Sequence, residues 1–384
     1  MKRILSLFLS FTFFLISLTI NVHADDPDIQ AESAILMEAS TGQIIYEKNP
    51  DETVAPASIT KIMTLLLIFD AIDEKKITLT DSVTVSEHAA SMGGSQVFLE
   101  PGEVQTVETM IKCIAIASAN DACVAMAEFI CSSEEAFVEK MNERAKELGM
   151  NNTNFINCCG LDVSGHVTSA RDVAIMSREL ITKHPEIHDY SSIWMDSFTH
   201  VTRKGESEFT LSNTNKLIKQ YEWATGLKTG STDDAKFCLS ATAKKNDIEL
   251  ISVVMASPTG KTRISDSISL LNYGYGICNL YRDESMPILS PISVKKSVCD
   301  DLECYYEKEF THLFLTDFDK TLLTKELEYI EDITAPLKCG DVVGQLIYKY
   351  NGNIIGTVDI LAAKDVAKAG FYDYMKMLWK EMLN

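Results

Sequence analysis

The apolar positions of this 384-residue chain change their pattern several times. A continuous apolar run near the N-terminus precedes a long body, up to about residue 282, in which strand-like alternation flanks segments of helical spacing. Short strand-like runs then recur at regular spacing, and the C-terminal residues return to helical spacing. The patterns predict four parts, which cover residues 1–24, 25–282, 283–363 and 364–384.

The first part has the organisation of a signal peptide. Lys2 and Arg3 precede an apolar run from Ile4 to Ile20, and Ala24 ends a typical cleavage sequence before Asp25. An uncleaved membrane anchor is the alternative, because the apolar run is fairly long. Both interpretations predict that the body of the protein is exported.

The body, residues 25–282, alternates between strand and helix patterns. Strands at both of its ends enclose the helices, which predicts an antiparallel sheet with helical layers and an α+β fold. The predicted hairpins cover residues 33–48 and 237–256, the predicted helices cover 57–73, 106–117, 121–130, 134–148, 170–182 and 265–275, and irregular loops are expected over 83–102 and 151–169.

The remaining parts carry no candidate catalytic cluster. Residues 283–363 contain short strand-like runs, starting with Val294 to Val298, and the strong hairpin turn Asn351-Gly352, which predicts a small all-β domain. In residues 364–384, apolar side chains share one helical face that lysines flank, which predicts an amphipathic helix lying on a membrane surface. A helix packed on its own β domain is the alternative. The apolar face consists of Phe371, Met375, Leu378 and Met382.

Composition narrows the function classes. A formal net charge of −20 argues against nucleic acid, whose phosphates would be repelled. Ten cysteines are many for an exported chain, but several lie among apolar residues and are typical of buried free thiols. Disulfides involving Cys158 and Cys159, or Cys299 and Cys304, are the alternative. No cysteine spacing resembles a zinc site, and no metal or cofactor is expected.

Candidate chemistry begins at the predicted helix over residues 57–73. Ser58 and Lys61 lie three residues apart at its start, so their side chains share one face. A buried amine within reach of a serine hydroxyl can act as its base. Taken alone, the pair is better explained as a helix-capping serine beside a solvated lysine.

Two further motifs follow in chain order. Ser118 and Asn120 enclose Ala119 at a predicted helix junction, and Lys228 begins the triplet Lys-Thr-Gly. Alone, the first would be a helix cap and the second a strand end. The ordered trio of Ser-x-x-Lys, Ser-x-Asn and Lys-Thr-Gly is the signature of class A β-lactamases and penicillin-binding proteins. Together, the motifs favour a serine acyl-transfer site.

That chemistry gives each motif a role. Ser58 would attack a carbonyl to form a covalent ester, and Lys61 would take its proton. Ser118 could relay the proton to the departing amine, and Asn120 could hold Lys61 or the substrate backbone. Lys228 would add positive charge and attract an anionic substrate.

The residues after Lys228 would bind the substrate. The Thr229 hydroxyl can contact a carboxylate, and Gly230 would let the substrate lie along the strand as an added strand. The backbone N–H groups of Ser58 and Ser231 are candidates for holding the oxyanion.

Beyond the trio, the sequence resembles the low-molecular-mass penicillin-binding proteins that act as serine-type D-alanyl-D-alanine carboxypeptidases, the peptidase S11 family. The resemblance covers nearly the whole mature chain and implies a β-lactamase/transpeptidase-like domain. It implies that this domain removes the terminal D-alanine from peptidoglycan stem pentapeptides. It further implies that β-lactams acylate Ser58. It also implies that Arg263 lies near the substrate carboxylate; a surface ion pair is the alternative. The chain departs from the family pattern at Cys158-Cys159 and at Thr225. Further matching segments are Gly93 to Glu103, Ala119 to Ala122, Met141-Asn142, Leu148 to Met150, Gly160-Leu161, Thr225 to Gly230 and Leu270 to Gly274.

Two other functions remain open on the sequence. A class A β-lactamase would need a glutamate in the loop over its cleft, and residues 149–178 contain none. A catalytically silent wall-binding module would need none of the reactive residues, whereas Ser58, Lys61 and Lys228 are all present.

Overall fold

The computed structural model of the chain describes residues 26–298 and 301–383. The predicted signal peptide, residues 1–24, and Cys299 lie outside these ranges. Within them, no helix combines the length and the apolar character needed to cross a bilayer.

The body contains a five-stranded antiparallel sheet and two small two-stranded sheets. Its strands are β1 (Ser33–Glu38), β2 (Ile44–Lys48), β3 (Ser82–Thr84), β4 (Val104–Thr106), β5 (Met195–Thr202), β6 (Gly205–Ser212), β7 (Ala224–Thr232), β8 (Lys236–Lys245) and β9 (Ile248–Ser257). Five of them form one sheet in the order β2-β1-β9-β8-β7, so both predicted hairpins are confirmed. β3 pairs with β4, and β5 pairs with β6.

Helices occupy both sides of this sheet. They are α1 (Lys61–Asp73), α2 (Glu87–Ala90), α3 (Val107–Ala117), α4 (Asn120–Cys131), α5 (Glu134–Glu147), α6 (Ala170–Lys183), α7 (His188–Ser191), α8 (Leu217–Gln220) and α9 (Gly260–Ile277), with 3-10 turns at Ala57–Thr60 and Pro185–Ile187. Every predicted helix of the body is present. α9 begins five residues earlier than predicted, where Thr259 caps its first turn.

Alternating side chains of the sheet build a core on each face. In β1, Ile35 and Met37 belong to the core shared with α1 and α6, whereas Ala34 and Leu36 belong to the core beneath α9. The central strands are therefore buried on both faces, which is why apolar and small side chains occupy most of their inner positions.

The helix α1 lies inside the larger core. Its residues from Lys61 to Ala71 are all buried, and it contacts α3, α4, α5 and α6. A helix that is apolar on all sides is stable only when protein surrounds it. Lys61 is the first residue of α1, so protein surrounds it as well.

A second unit follows the body. Its strands are β10 (Asn279–Arg282), β11 (Cys304–Tyr306), β12 (Thr311–Phe314), β13 (Leu323–Tyr329), β14 (Val342–Tyr350) and β15 (Asn353–Ala362). β11, β15, β14 and β13 form one sheet, and β10 pairs with β12. The structure differs from two of the sequence predictions. β10 lies before residue 283, in the predicted body, yet it pairs with β12 of this second unit. The predicted strand from Val294 to Val298 forms only isolated bridges.

The predicted turn of the last hairpin is present. Asn351 and Gly352 join β14 to β15 with φ values of 48° and 81°, as a tight primed turn requires. The tail differs from its prediction, because its helix, α10 (Phe371–Leu383), starts later. Val366 bridges Leu337 before that point, so the first residues of the tail pair with the β unit.

Candidate active site

A short 3-10 turn places the nucleophile beside its base. Residues three apart eclipse each other in a 3-10 helix, so Ser58 and Lys61 face the same side. The Lys61 Nζ lies 3.0 Å from the Ser58 Oγ. Ala57, just before the serine, has a left-handed φ of 47°, a strained conformation of the kind found at functional sites. Ser58 is partly exposed, while Lys61 is fully buried.

The surroundings of Lys61 orient its amine. The Nζ donates to the Asn120 Oδ1 and to the Cys159 carbonyl oxygen, both at 2.7 Å. These two oxygens can only accept, whereas a hydroxyl can donate or accept. In the neutral form of the amine, two N–H groups therefore serve the carbonyls and the lone pair is left for the Ser58 hydroxyl. This is the geometry that deprotonation of Ser58 requires.

Asn120 sits at the first turn of α4 and is itself held at both ends. Its Nδ2 donates to the Gly93 carbonyl at 2.7 Å, and its backbone N–H donates to the Ser95 carbonyl at 2.7 Å. The amide side chain therefore links Lys61 to the segment 93–95.

Ser118 contacts the second lysine of the motifs, Lys228. It ends α3 in a left-handed conformation, with φ of 61°, and is 97% buried. The Lys228 Nζ donates to its Oγ at 2.9 Å. Burial, reinforced by the charge of Lys61, holds the pKa of Lys228 well below its usual range. The structure thus brings five polar side chains of the three motifs to one place, namely those of Ser58, Lys61, Ser118, Asn120 and Lys228.

The strand β7 forms the edge of the sheet beside this cluster. Thr229 is buried, and its hydroxyl contacts that of Thr214 at 2.7 Å; Ser231 is exposed. A Cβ on Gly230 would lie 2.9 Å from the Pro56 carbonyl oxygen. The glycine therefore lets β7 approach the turn that carries Ser58, a reason that differs from the predicted room for substrate.

Arg263 lies behind β7, and it forms no ion pair with the residues that the structure describes. Its Nη1 donates to the carbonyls of Gly230 at 2.9 Å and Cys238 at 3.2 Å. Its charge supports the backbone of the Lys-Thr-Gly triplet from the side of α9.

Sequence reasoning missed the part that the loop over residues 151–169 plays. Besides the Cys159 carbonyl, this loop contributes His166, whose Nε2 contacts the Thr60 hydroxyl at 2.8 Å and whose Nδ1 accepts the Ile156 N–H at 2.9 Å. His166 thereby fastens the loop to the turn of Ser58. A backbone carbonyl has no sequence signature, and Gly160 was visible only through the resemblance. Cys158 and Cys159 are buried free thiols. The other cysteines of the described ranges are also free thiols, some buried and some not.

Lowering the pH is expected to destabilise the protein through His166. Burial lowers the pKa of His166 to about 4, against about 6.5 in an unfolded chain. The unfolded chain binds this proton more readily, so the free energy of unfolding falls by about 3 kcal/mol as the pH drops from about 6.5 to about 4. Urea unfolding at several pH values should show a shallower dependence in His166→Gln. An equal dependence in the variant would contradict this assignment.

Comparisons with known proteins agree with this geometry. The family model of D-alanyl-D-alanine carboxypeptidases, peptidase S11, matches residues 20–259, and that of the C-terminal domain of penicillin-binding protein 5 matches residues 286–368. The D-alanyl-D-alanine carboxypeptidase DacF of Bacillus subtilis is 44% identical over 350 residues, which cover 90% of this chain and 88% of that protein. The D-alanyl-D-alanine carboxypeptidase DacC of Escherichia coli is 32% identical over 90% of this chain and 86% of its own length.

A solved structure has the same architecture. Penicillin binding protein 5 from Haemophilus influenzae superposes with a TM-score of 0.77 at 30% identity, covering 89% of this chain and 99% of that one. The predicted fold, a transpeptidase-like α+β domain followed by a small β domain, is confirmed. With its S11 match, its relatives and its converged motifs, the chain belongs to the peptidase S11 family of D-alanyl-D-alanine carboxypeptidases.

Proposed function

We propose that this carboxypeptidase removes the terminal D-alanine from peptidoglycan stem pentapeptides through an ester on Ser58. One observation supports this most directly: the Ser58 Oγ lies 3.0 Å from an amine whose other two contacts are carbonyl oxygens. Such an amine is oriented to accept the hydroxyl proton. The names of the relatives, each a D-alanyl-D-alanine carboxypeptidase, support the same reaction.

Acylation follows from these contacts. The Ser58 hydroxyl gives its proton to the Lys61 amine, and the Oγ attacks the carbonyl carbon of the penultimate D-alanine. The C–N bond then breaks. Ser118, which accepts a hydrogen bond from Lys228, relays the proton taken up by Lys61 to the departing amine of the terminal D-alanine, so that Lys61 is neutral again for the next step. Water hydrolyses the ester in the second half of the reaction.

The edge strand β7 offers the substrate a backbone partner. The sheet order leaves one side of β7 without a neighbouring strand, next to the turn of Ser58. An extended peptide can pair with such an edge. The Lys228 amine and the Thr229 hydroxyl beside this edge offer hydrogen-bond donors, which favour a substrate that ends in a carboxylate.

We also propose that the enzyme works outside the cytoplasm and that the C-terminal helix contacts a lipid surface. The apolar side chains of Phe371, Tyr372, Trp379 and Met382 are each at least 65% exposed in α10, so they are not packed on the β unit. Sedimentation with phospholipid vesicles, with and without residues 371–384, tests the contact. Equal binding by both forms would contradict it.

The experiment that tests the reaction is mass measurement of the intact protein after exposure to benzylpenicillin. One penicilloyl group per chain is expected, and peptide mapping should place it on Ser58. An adduct elsewhere, or none, would contradict the proposed nucleophile.

The penicilloyl ester is expected to be long-lived. A class A β-lactamase activates its deacylating water with a glutamate, and residues 149–178 contain no glutamate. A fluorescent penicillin should therefore label the protein and be lost slowly after the free label is removed. Rapid multiple turnover would instead identify a β-lactamase.

Release of D-alanine separates an enzyme from a wall-binding module. The purified protein is expected to release D-alanine from a peptide ending in Lys-D-Ala-D-Ala or diaminopimelate-D-Ala-D-Ala. A protein that binds the peptide but releases none would be the binding module.

A further inference from the structure

A buried histidine at the end of α6 has one ring nitrogen without a partner. His184 is fully buried, and its Nε2 contacts the Asp70 Oδ1 at 3.0 Å. Its Nδ1 has no hydrogen bond within the described residues. This nitrogen instead faces the Asp73 Oδ2 at 3.3 Å and the Glu186 Oε1 at 3.8 Å.

The contact with Asp70 determines what the free nitrogen can do. Asp70 also accepts hydrogen bonds from the Lys183 Nζ at 2.5 Å and from the Arg144 Nε at 3.2 Å, so cations surround it as they surround a carboxylate. A carboxylate only accepts, so the Nε2 carries a hydrogen, and the Nδ1 offers its lone pair to a metal when no second hydrogen occupies it. The Nδ1 and the two carboxylate oxygens therefore lie close together, and either a hydrogen on Nδ1 or a metal cation between the three atoms offsets their repulsion.

We propose that Asp73, His184 and Glu186 form a binding site for a divalent cation, with zinc as the best match to the donor set. One imidazole nitrogen and two carboxylate oxygens, with water in the fourth position, are ordinary ligands of tetrahedral zinc. Bonds of about 2.0–2.1 Å place such ligand atoms about 3.3 Å apart. The three atoms here lie within 4.8 Å of one another, and two of the separations are 3.3 Å and 3.8 Å.

Two further features fit a metal site. A histidine ligand commonly donates its other N–H to a carboxylate, which fixes the ring, and Asp70 provides this contact. The carboxylate side chains of Asp73 and Glu186 are 52% and 45% exposed, so a cation can enter from solvent.

The site would join two distant segments. Asp73 is the last residue of α1, while His184 and Glu186 lie where α6 meets the 3-10 turn Pro185–Ile187. Twelve residues of helix separate it from Lys61, or about 18 Å. The cation therefore stabilises the far end of α1 and takes no part in catalysis. Its ligands are not cysteines, so cysteine spacing in the sequence could not indicate it.

The test measures binding of zinc chloride to the full-length protein by calorimetry after treatment with a chelator. One zinc per chain is expected, with a rise of about 5 °C in the midpoint of thermal unfolding when zinc exceeds its dissociation constant about 100-fold. The variant Asp73→Asn/Glu186→Gln should lose at least 100-fold in affinity and the thermal shift. It changes exposed side chains only and should fold, which His184→Gln need not.

The matched control is Glu139→Gln/Asp247→Asn, which removes two exposed carboxylates elsewhere. It should bind zinc as the wild type does. Cobalt(II) adds a spectroscopic check: absorption typical of thiolate ligands would show that cysteines bind the metal and would overturn the proposal. Absence of binding would leave an ordinary His184–Asp73 ion pair and overturn it as well. Penicillin labelling is measured separately, so its failure concerns only the proposed reaction.

Discussion

Replacing Lys61 with methionine is expected to slow acylation of Ser58 by at least about 10³-fold. General-base catalysis by a positioned group contributes about 10²–10⁴-fold, and here the same group also holds the serine hydroxyl in place. Methionine keeps most of the buried volume but offers no lone pair in the position of Nζ. The rate is measured from the time course of labelling with a fluorescent penicillin.

Methionine at position 61 also leaves the Asn120 Oδ1 and the Cys159 carbonyl without their donor, which costs about 1–3 kcal/mol for each buried acceptor. Thermal unfolding of the variant therefore accompanies the labelling, to show that folded protein is being assayed. Lys146→Met, on the exposed face of α5, is the control and should label at the wild-type rate. A folded Lys61→Met protein that still acylates quickly would exclude Lys61 as the base.

Replacing Gly160 with alanine is expected to remove both stability and acylation. Gly160 has a φ of +87°, and a Cβ there would lie 1.7 Å from the Ala57 carbonyl oxygen and 2.9 Å from the Thr60 Oγ1. The backbone on either side of Ser58 would have to move. We expect a loss of about 3 kcal/mol or more in the free energy of unfolding and at least about 100-fold in acylation rate.

Gly149→Ala separates the two causes of that loss. Gly149 also has a positive φ, +76°, but a Cβ there would meet nothing within 4 Å. It should lose about 1 kcal/mol from backbone strain alone and acylate normally. Urea unfolding and penicillin labelling of both variants decide the matter. Similar losses in the two would show that contact with the Ser58 turn is unimportant.

Periodicity predicted most of the body because its elements are long and strongly patterned. The hairpin formed by β8 and β9 and the helix α1 consist of apolar runs with clear boundaries, and the structure has both. The three motifs were also recognisable, because their residue types and order are specific. Their convergence was a prediction about remote segments of the chain. The contacts of Lys61 with Asn120 and of Lys228 with Ser118 give the distances between these segments.

Elements with weak patterns were missed. β5 and β6 are largely exposed, so polar residues occupy most of their positions and no alternation identifies them. The first residues of the tail look helical, but Val366 pairs with Leu337 and tertiary contact overrides the local pattern. The role of the Cys159 carbonyl belongs to the backbone, and side-chain types could not indicate it.

The burial of α1 has a practical consequence. Because the helix that begins at Lys61 is surrounded by α3, α4, α5 and α6, the amine cannot reach its working position in a partly assembled molecule. Covalent capture of a fluorescent β-lactam therefore counts only correctly folded copies. In expression trials or refolding screens, the labelled fraction of a sample would report directly on the yield of native protein.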